Sequence, residues 1–354
     1  DGLTYRGPDL KLVPGLAESW EELDEGKRIR FKLRPNVKFH NGEPFNAAAV
    51  KFTFERLLGE QGAKGPQRSN YVSIESVDVI DDYTVDMKLK APDPVLLTKL
   101  AGYGAMIVPP KYIQEKGEDN FNLNPVGTGA FKFVSYAPKN NIKLEANPDY
   151  WGGAPKLSEL EYRFIAEPAT AVAELQAGRV DLVIPPTIPI GMIPVIEGDS
   201  KLEIVSVPGP TVDALRFNTR DGVTADPKVR KAIIMAVDRG TIVKSILAGQ
   251  ASEIASFQSA LSFGYDPELK PLPYDPEAAK KLLAEAGVKP GTTLQIDIRG
   301  NDATMNEVAQ VISSYLSMVG ITATIKPYET NVLLNDIIPQ GKTGAMFQQK
   351  WGGW

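Results

Sequence analysis

The sequence predicts an α/β fold distributed over more than one lobe. Two stretches read strand, helix, strand: residues 161–184 and residues 293–326. That order is the unit of a parallel sheet covered by helices. The first 150 residues instead carry paired runs of alternating apolar and polar residues joined by turn residues, the pattern of antiparallel hairpins. With 354 residues, 43% of them hydrophobic, the chain can bury more than one core.

From the start, residues 28–34 alternate as a strand, and Asn41-Gly42-Glu43-Pro44 is a turn. Asn46 is placed to cap a helix over 47–58, with Val50, Phe54, Leu57 and Leu58 on one face. Residues 73–80 and 83–90 alternate on either side of Asp81-Asp82, a hairpin signal. Residues 92–100 read as a short helix. Glycines on both sides of Tyr103 leave two possibilities for that ring: presented outward, or packed in a core.

The stretch 124–153 is the pivot of the chain. Pro125, Gly127 and Gly129 turn the backbone, residues 130–136 and 142–146 alternate as a hairpin, and a turn carrying Tyr150 and Trp151 follows. Next come a strand over 161–166, a helix over 168–177 stopped by Gly178, and a buried strand over 180–184. Pro185, Pro186, Thr187, Ile188 and Pro189 then form a stiff loop at that strand's carboxyl end, where ligands of open α/β sheets sit. Residues 202–207 and 212–217 read as two more strands.

Asp226-Pro227 and Asp275-Pro276 are matching helix starts, a capping side chain followed by Pro in the first turn. A helix over 241–247 is closed by Gly249. Thr293 to Arg299 is a strand. The helix 302–319 should turn Val308, Ile312, Tyr315 and Val319 inward, and residues 321–326 return as a strand. The final run, Ala345 to Trp354, reads as a strand that leaves an apolar edge unpaired.

Composition narrows the function. Net charge is −5 with no basic run, which argues against nucleic acid. No apolar run reaches the ~20 residues that span a bilayer. There is no cysteine, and His40 is the single histidine, so thiol catalysis, a Cys-ligated metal and a His-based triad or metal site find no residues. His40 is expected to satisfy a hydrogen bond beside its turn. Phosphate-loop and nucleophile-elbow signatures are missing. No catalytic residue, metal site or cofactor is expected, and what remains is binding.

The blocks NPVGTGAFKF (124–133) and NPDYWGG (147–153) resemble the extracellular solute-binding proteins of ABC importers, family 5, which includes dipeptide, oligopeptide and nickel binders. LVPGLAESW (12–20), the run 30–57, LQAGRVDLV (175–183), VRKAIIMAVDR (229–239) and YDPEAAKKLLAEAG (274–287) resemble the same family in the same order. The resemblance implies a periplasmic binding protein-like fold of the class II or cluster C type. Two lobes would flank a cleft with an extra small domain, hinging near 124–129 and 216–219, and the chain would be incomplete at both ends. The expected division is a small domain over 1–120, part of the first lobe over 121–218 and the second lobe over 219–354. It implies an exported monomer, periplasmic or on the cell surface, with or without a lipid anchor. This monomer hands a small solute, a peptide foremost, to permease subunits in the membrane. Relatives also carry oligosaccharides, opines and metal chelates, and a receptor feeding a signalling partner stays open.

Four residues are candidates for the ligand. Arg299 stands at a strand-to-helix junction similar to the one where the family's dipeptide binders place an arginine for the peptide carboxylate; the alternatives are a pair with Asp302 or a solvated side chain. Trp351 and Trp354 lie in a Gly- and Trp-containing block like the one that lines the family's cleft. No acid follows Trp351 within the chain, which puts a pocket for an amino group in doubt and suits stacking on a sugar. Tyr103 is the fourth. Trp20 and Trp151 sit in blocks expected to be core.

Overall fold

The computed structural model describes residues 1–184, 188–262 and 264–352, with only the backbone of Trp351. The chain divides into two compact units, 1–165 and 166–353.

The first unit is built on antiparallel pairing, as alternation requires. Strands β1 (Thr4–Arg6) and β2 (Leu12–Pro14) form a small ribbon. Strands β3 (Ala17–Leu23), β4 (Arg28–Leu33), β5 (Ile74–Asp81) and β6 (Thr84–Leu89) form one sheet in the order β3-β4-β6-β5. The helix Ala47–Leu58 covers it, started by Asn46, whose side chain accepts from the Ala49 N–H. Its Val50, Phe54 and Leu57 are buried with Phe31, Tyr71 and Met87. Burying such side chains contributes about 1.5–3 kcal/mol each, which makes this face the main stabiliser of the helix. The short helix expected over 92–100 is confined to Leu96–Leu100.

A second sheet in this unit runs β7-β8-β9, all antiparallel: β7 (Phe131–Ala137), β8 (Asn141–Ala146) and β9 (Glu159–Arg163). Trp151 closes the turn after β8. Its indole N–H donates to Asp1 Oδ2 at 2.8 Å, and the Arg34 guanidinium lies 4.5 Å from its ring centroid. Both Trp151 and Trp20 pack against the core, as expected. His40 sits against the Gly127–Gly129 turn, with Nε2 2.9 Å from Gly129 O.

The second unit holds the α/β pass that the sequence predicts. Its sheet runs β10-β13-β11-β12: β10 (Val212–Phe217), β11 (Thr292–Arg299), β12 (Ile321–Tyr328) and β13 (Met346–Trp351). β11 and β12 are parallel and joined by the helix Ala303–Met318. Leu294, Ile296, Ile298 and Met346 face the core with Val229, Ile233 and Leu283. Asp226 and Asp275 cap their helices, accepting from the N–H groups of Lys228 and Ala278.

Three expectations fail, because strands depend on partners that the local sequence does not show. Residues 180–184 form no strand: Leu182 is 76% and Ile184 54% exposed, and no described strand lies beside them. Residues 202–207 are likewise irregular, with Val205 and Val207 exposed. A β-branched run becomes a strand only when a neighbour supplies the ladder. The earlier strand-helix-strand stretch therefore yields β9, which pairs antiparallel with β8, and the helix Pro168–Gln176 alone.

The final strand is not an edge, since β13 pairs antiparallel with β10 and parallel with β11. The helix Ala303–Met318 does turn the expected side to the core: Val319 is buried and Val308 and Ile312 pack against the core cluster, joined by Met305, Ala309 and Leu316, while Tyr315 is half-buried. The expected loop residues Pro185, Pro186 and Thr187 lie outside the described residues. Among the described residues no helix is long and apolar enough to cross a membrane.

Candidate ligand-binding site

The carboxyl ends of β11 and β12 in the second unit carry the sequence's main charged candidate. Along β11, Leu294, Ile296 and Ile298 point to the core, so Gln295, Asp297 and Arg299 take the other face. Arg299 is the last residue of β11, opposite Tyr328. The chain then turns sharply, Gly300 N–H donating to Tyr328 O at 2.7 Å. Asp302 starts the next helix by accepting from the Met305 N–H at 2.9 Å.

The hydrogen bonds at this corner bypass the Arg299 side chain. Arg299 Nε is buried and has no hydrogen-bond partner among the described residues. Asp302 does not pair with it. Asp302 Oδ2 instead accepts from Gln348 Nε2 at 2.8 Å, and Gln348 Oε1 accepts from the Arg299 backbone N–H at 2.9 Å. Asp297 is fully buried, and its oxygens accept from Gln295 Nε2 at 2.7 Å and from the Gly344 N–H at 2.6 Å. Both nearby carboxylates are engaged elsewhere, which leaves the guanidinium without a counter-ion among the described residues. A buried donor without a partner is costly, so the arrangement favours an acceptor arriving from outside.

The same sheet face carries further cations. Arg216 on β10 stands opposite Phe347, bonds Gln349 Oε1 at 2.5 Å and lies 5.7 Å from the Phe257 ring centroid. Lys326 lies 4.8 Å from the Tyr328 ring centroid, and its bond to Tyr328 holds the ammonium above its usual pKa. Chemically this face offers cations and aromatic rings, suited to anionic, partly apolar solutes.

Trp351 occupies β13 with its backbone paired to Val212, in the sheet that ends at Arg299. Trp354 lies outside the described residues. Tyr103 belongs to the first unit. Its ring is 83% exposed, so the core alternative is wrong, and Gly104 beside it has φ +92°. A side chain at Gly104 would meet Gln67 Cβ at 2.7 Å, so the glycine here is required by both conformation and space.

Sequence reasoning missed Gln348, Asp297 and Arg216. The signal for the first was visible: Gln348 directly follows the apolar run Ala345 to Phe347 and, by strand alternation, shares a face with Met346.

Comparison with known proteins gives the family. The model of the bacterial extracellular solute-binding proteins, family 5, matches residues 11–354, and the chain belongs to that family, one of solute-binding transport proteins. The glutathione-binding protein GsiB of Pectobacterium atrosepticum is 30% identical over 355 residues, covering 100% of this chain and 68% of GsiB. Di/tripeptide-binding protein 2 of Pseudomonas aeruginosa is 32% identical over 342 residues, covering 90% of this chain and 64% of that protein. The chain thus spans about two thirds of the length of these relatives.

Among solved structures, NikA from Brucella suis in complex with Fe(III)-EDTA matches with TM-score 0.89 and 27% identity over 99% of this chain and 73% of NikA. DppA from Helicobacter pylori in complex with peptide STSA matches with TM-score 0.82 and 26% identity over 99% of this chain and 72% of DppA. These neighbours support the periplasmic binding protein-like α/β fold expected from the sequence.

Proposed function

We propose that this protein captures a di- or oligopeptide and delivers it, chemically unchanged, to the permease subunits of an ABC importer. In this reading Arg299 pairs with the peptide's terminal carboxylate through two parallel hydrogen bonds. Tyr103, Trp351 and Trp354 supply aromatic contact that tolerates different side chains. The protein acts as an exported monomer. Closure about the connecting segments retains the ligand, and is favoured only by the difference in ligand affinity between open and closed forms.

The observation that carries this reading is the buried Arg299 Nε without a partner among the described residues, at the carboxyl end of β11. The relatives whose names specify glutathione and di- or tripeptides support the ligand class. The test is isothermal titration with a library of di- to pentapeptides, on the wild type and on Arg299→Met. Saturable binding by the wild type that weakens at least tenfold in the variant is expected. Failure of every peptide to bind, or equal binding by both proteins, overturns the reading.

A metal chelate bearing carboxylates is the second reading, favoured by the match to NikA with Fe(III)-EDTA. There the metal is cargo, and the guanidinium serves the chelator's carboxylate in the same way. Titration with Fe(III)-EDTA decides between the two.

A further inference from the structure

We propose that Gln348 is a positioning residue for ligand capture, fixing the turn that aims Arg299 through a pair of hydrogen bonds made by one buried amide. The inference rests on Arg299 being the carboxylate-binding group. It begins with the sheet register. β11 pairs with β12 along its whole length, from Thr292↔Ile321 to Arg299↔Tyr328. On its other side it pairs with β13 only at Ile296↔Met346 and Asp297↔Phe347. The strands part just before Arg299, so the Arg299 N–H has no ladder carbonyl on the β13 side.

Gln348 fills that gap. It is 0% exposed, so water does not substitute for it. Its Oε1 accepts from the Arg299 N–H at 2.9 Å, where a strand carbonyl would otherwise stand. Its Nε2 donates to Asp302 Oδ2 at 2.8 Å, while Asp302 Oδ1 caps the following helix through the Met305 N–H. One side chain on β13 therefore ties the last residue of β11 to the first turn of the helix, spanning Arg299 to Asp302. Bidentate pairing of a guanidinium demands tight placement, and a turn left free at a strand splay would not supply it.

Among the common alternatives at this position, methionine fills the volume without either bond. Glutamate keeps the acceptor but sets a carboxylate against that of Asp302. Exchanging the two groups, Gln348→Glu with Asp302→Asn, reverses the polarity of the bond while keeping both contacts. Asparagine still caps the helix.

The test uses the full chain with alanyl-alanine and its C-terminal amide as probes, by titration calorimetry. It is accompanied by backbone hydrogen exchange over residues 299–302. The wild type is expected to prefer the free acid at least tenfold. Gln348→Met should lose that preference while binding the amide within twofold of wild type, and should exchange the Arg299 N–H at least tenfold faster. The exchanged pair Gln348→Glu with Asp302→Asn should regain the acid preference. In an Arg299→Met background, Gln348→Met should change neither affinity further.

No acid preference in the wild type overturns the role of Arg299, and this inference with it. An acid preference that survives Gln348→Met, or exchange at Arg299 left unchanged, overturns the positioning role alone. So does loss of acid and amide binding in equal measure without recovery in the exchanged pair, the result expected of a merely structural glutamine. Should Gln348→Met fail to fold, Gln348→Glu alone takes its place: it should lose the acid preference that the exchanged pair regains, and an acid preference equal to wild type in both overturns the positioning role.

Discussion

The Tyr71 hydroxyl lies 2.9 Å from the backbone carbonyl of Tyr103, so a buried tyrosine holds the residue that presents an exposed one. The same hydroxyl lies 2.7 Å from Lys99 O, and burial pushes its pKa up to about 12. It therefore stays a donor throughout the physiological range. Tyr71→Phe leaves these carbonyls without that donor and is expected to cost about 1–2 kcal/mol. Tyr103→Ala removes an exposed ring and should change stability by no more than about 0.5 kcal/mol. Urea denaturation of the two variants checks both. A Tyr103→Ala loss as large as that of Tyr71→Phe would contradict an outward-facing ring.

Asp86 governs acid stability in the first unit. Arg30, and after it Arg28, bond its buried carboxylate and outweigh the cost of burial, holding its pKa at about 2 against 3.8. A depressed carboxylate pKa gives stability that is complete above the unfolded value and is lost as pH falls through the folded one. The window is thus from about pH 4 down to about pH 2. The shift corresponds to at most about 2 kcal/mol. Denaturation curves of wild type and Asp86→Asn should converge across that window. Curves that stay parallel from pH 5 to pH 2 would refute the assignment.

Gly344 precedes β13 and donates its N–H to the buried Asp297. A Cβ there would stand 2.7 Å from Gln295 O and 2.8 Å from Gln295 Cβ. The first of these is strand backbone and cannot step aside without moving β11. Gly344→Ala is expected to destabilise by about 1–3 kcal/mol, through overpacking rather than backbone conformation. Gly352→Ala, with nothing within 4 Å of its built Cβ, is the neutral control. Equal midpoints in urea for the two variants would show that the loop yields.

Much of the framework was legible because its signals are local. Asn46, Asp226, Asp275 and Asp302 announce helices through their own side chains, and the structure shows each accepting from an N–H within the first turn. The hairpins at Asp81-Asp82 and over 131–146 carry their turn and alternation together. Residues 180–184 have no such local arbiter: an apolar run is a strand only if a partner exists, and partners are distant in sequence. The site divides in the same way. Arg299 could be picked out because it ends an alternating strand before Gly300, at a junction that resembles the one where the family's dipeptide binders place an arginine. That Asp302 binds Gln348 instead of Arg299 depends on β13 arriving beside β11, which no local pattern encodes.

His40 offers the simplest titration in the molecule, because the chain has no second histidine. Its ring bridges a single turn: Nε2 lies 2.9 Å from Gly129 O, and Nδ1 accepts from the Gly127 N–H at 3.4 Å. Those partners require the neutral tautomer with the proton on Nε2. Protonating Nδ1 would set one donor against another. Burial is the main force lowering its pKa, against the opposing pull of the Gly129 carbonyl. A folded pKa below the unfolded 6.5 gives stability that is present above pH 6.5 and fades as pH falls through the folded value. The single imidazole resonance followed by NMR should titrate below 6.5, and Gly127 amide exchange should gain extra acceleration over the same range. Substituting His40→Gln, whose amide can donate and accept but does not ionise, should remove that extra acceleration. A resonance that titrates above 6.5 would mean the imidazolium, not the neutral ring, is the form this turn holds.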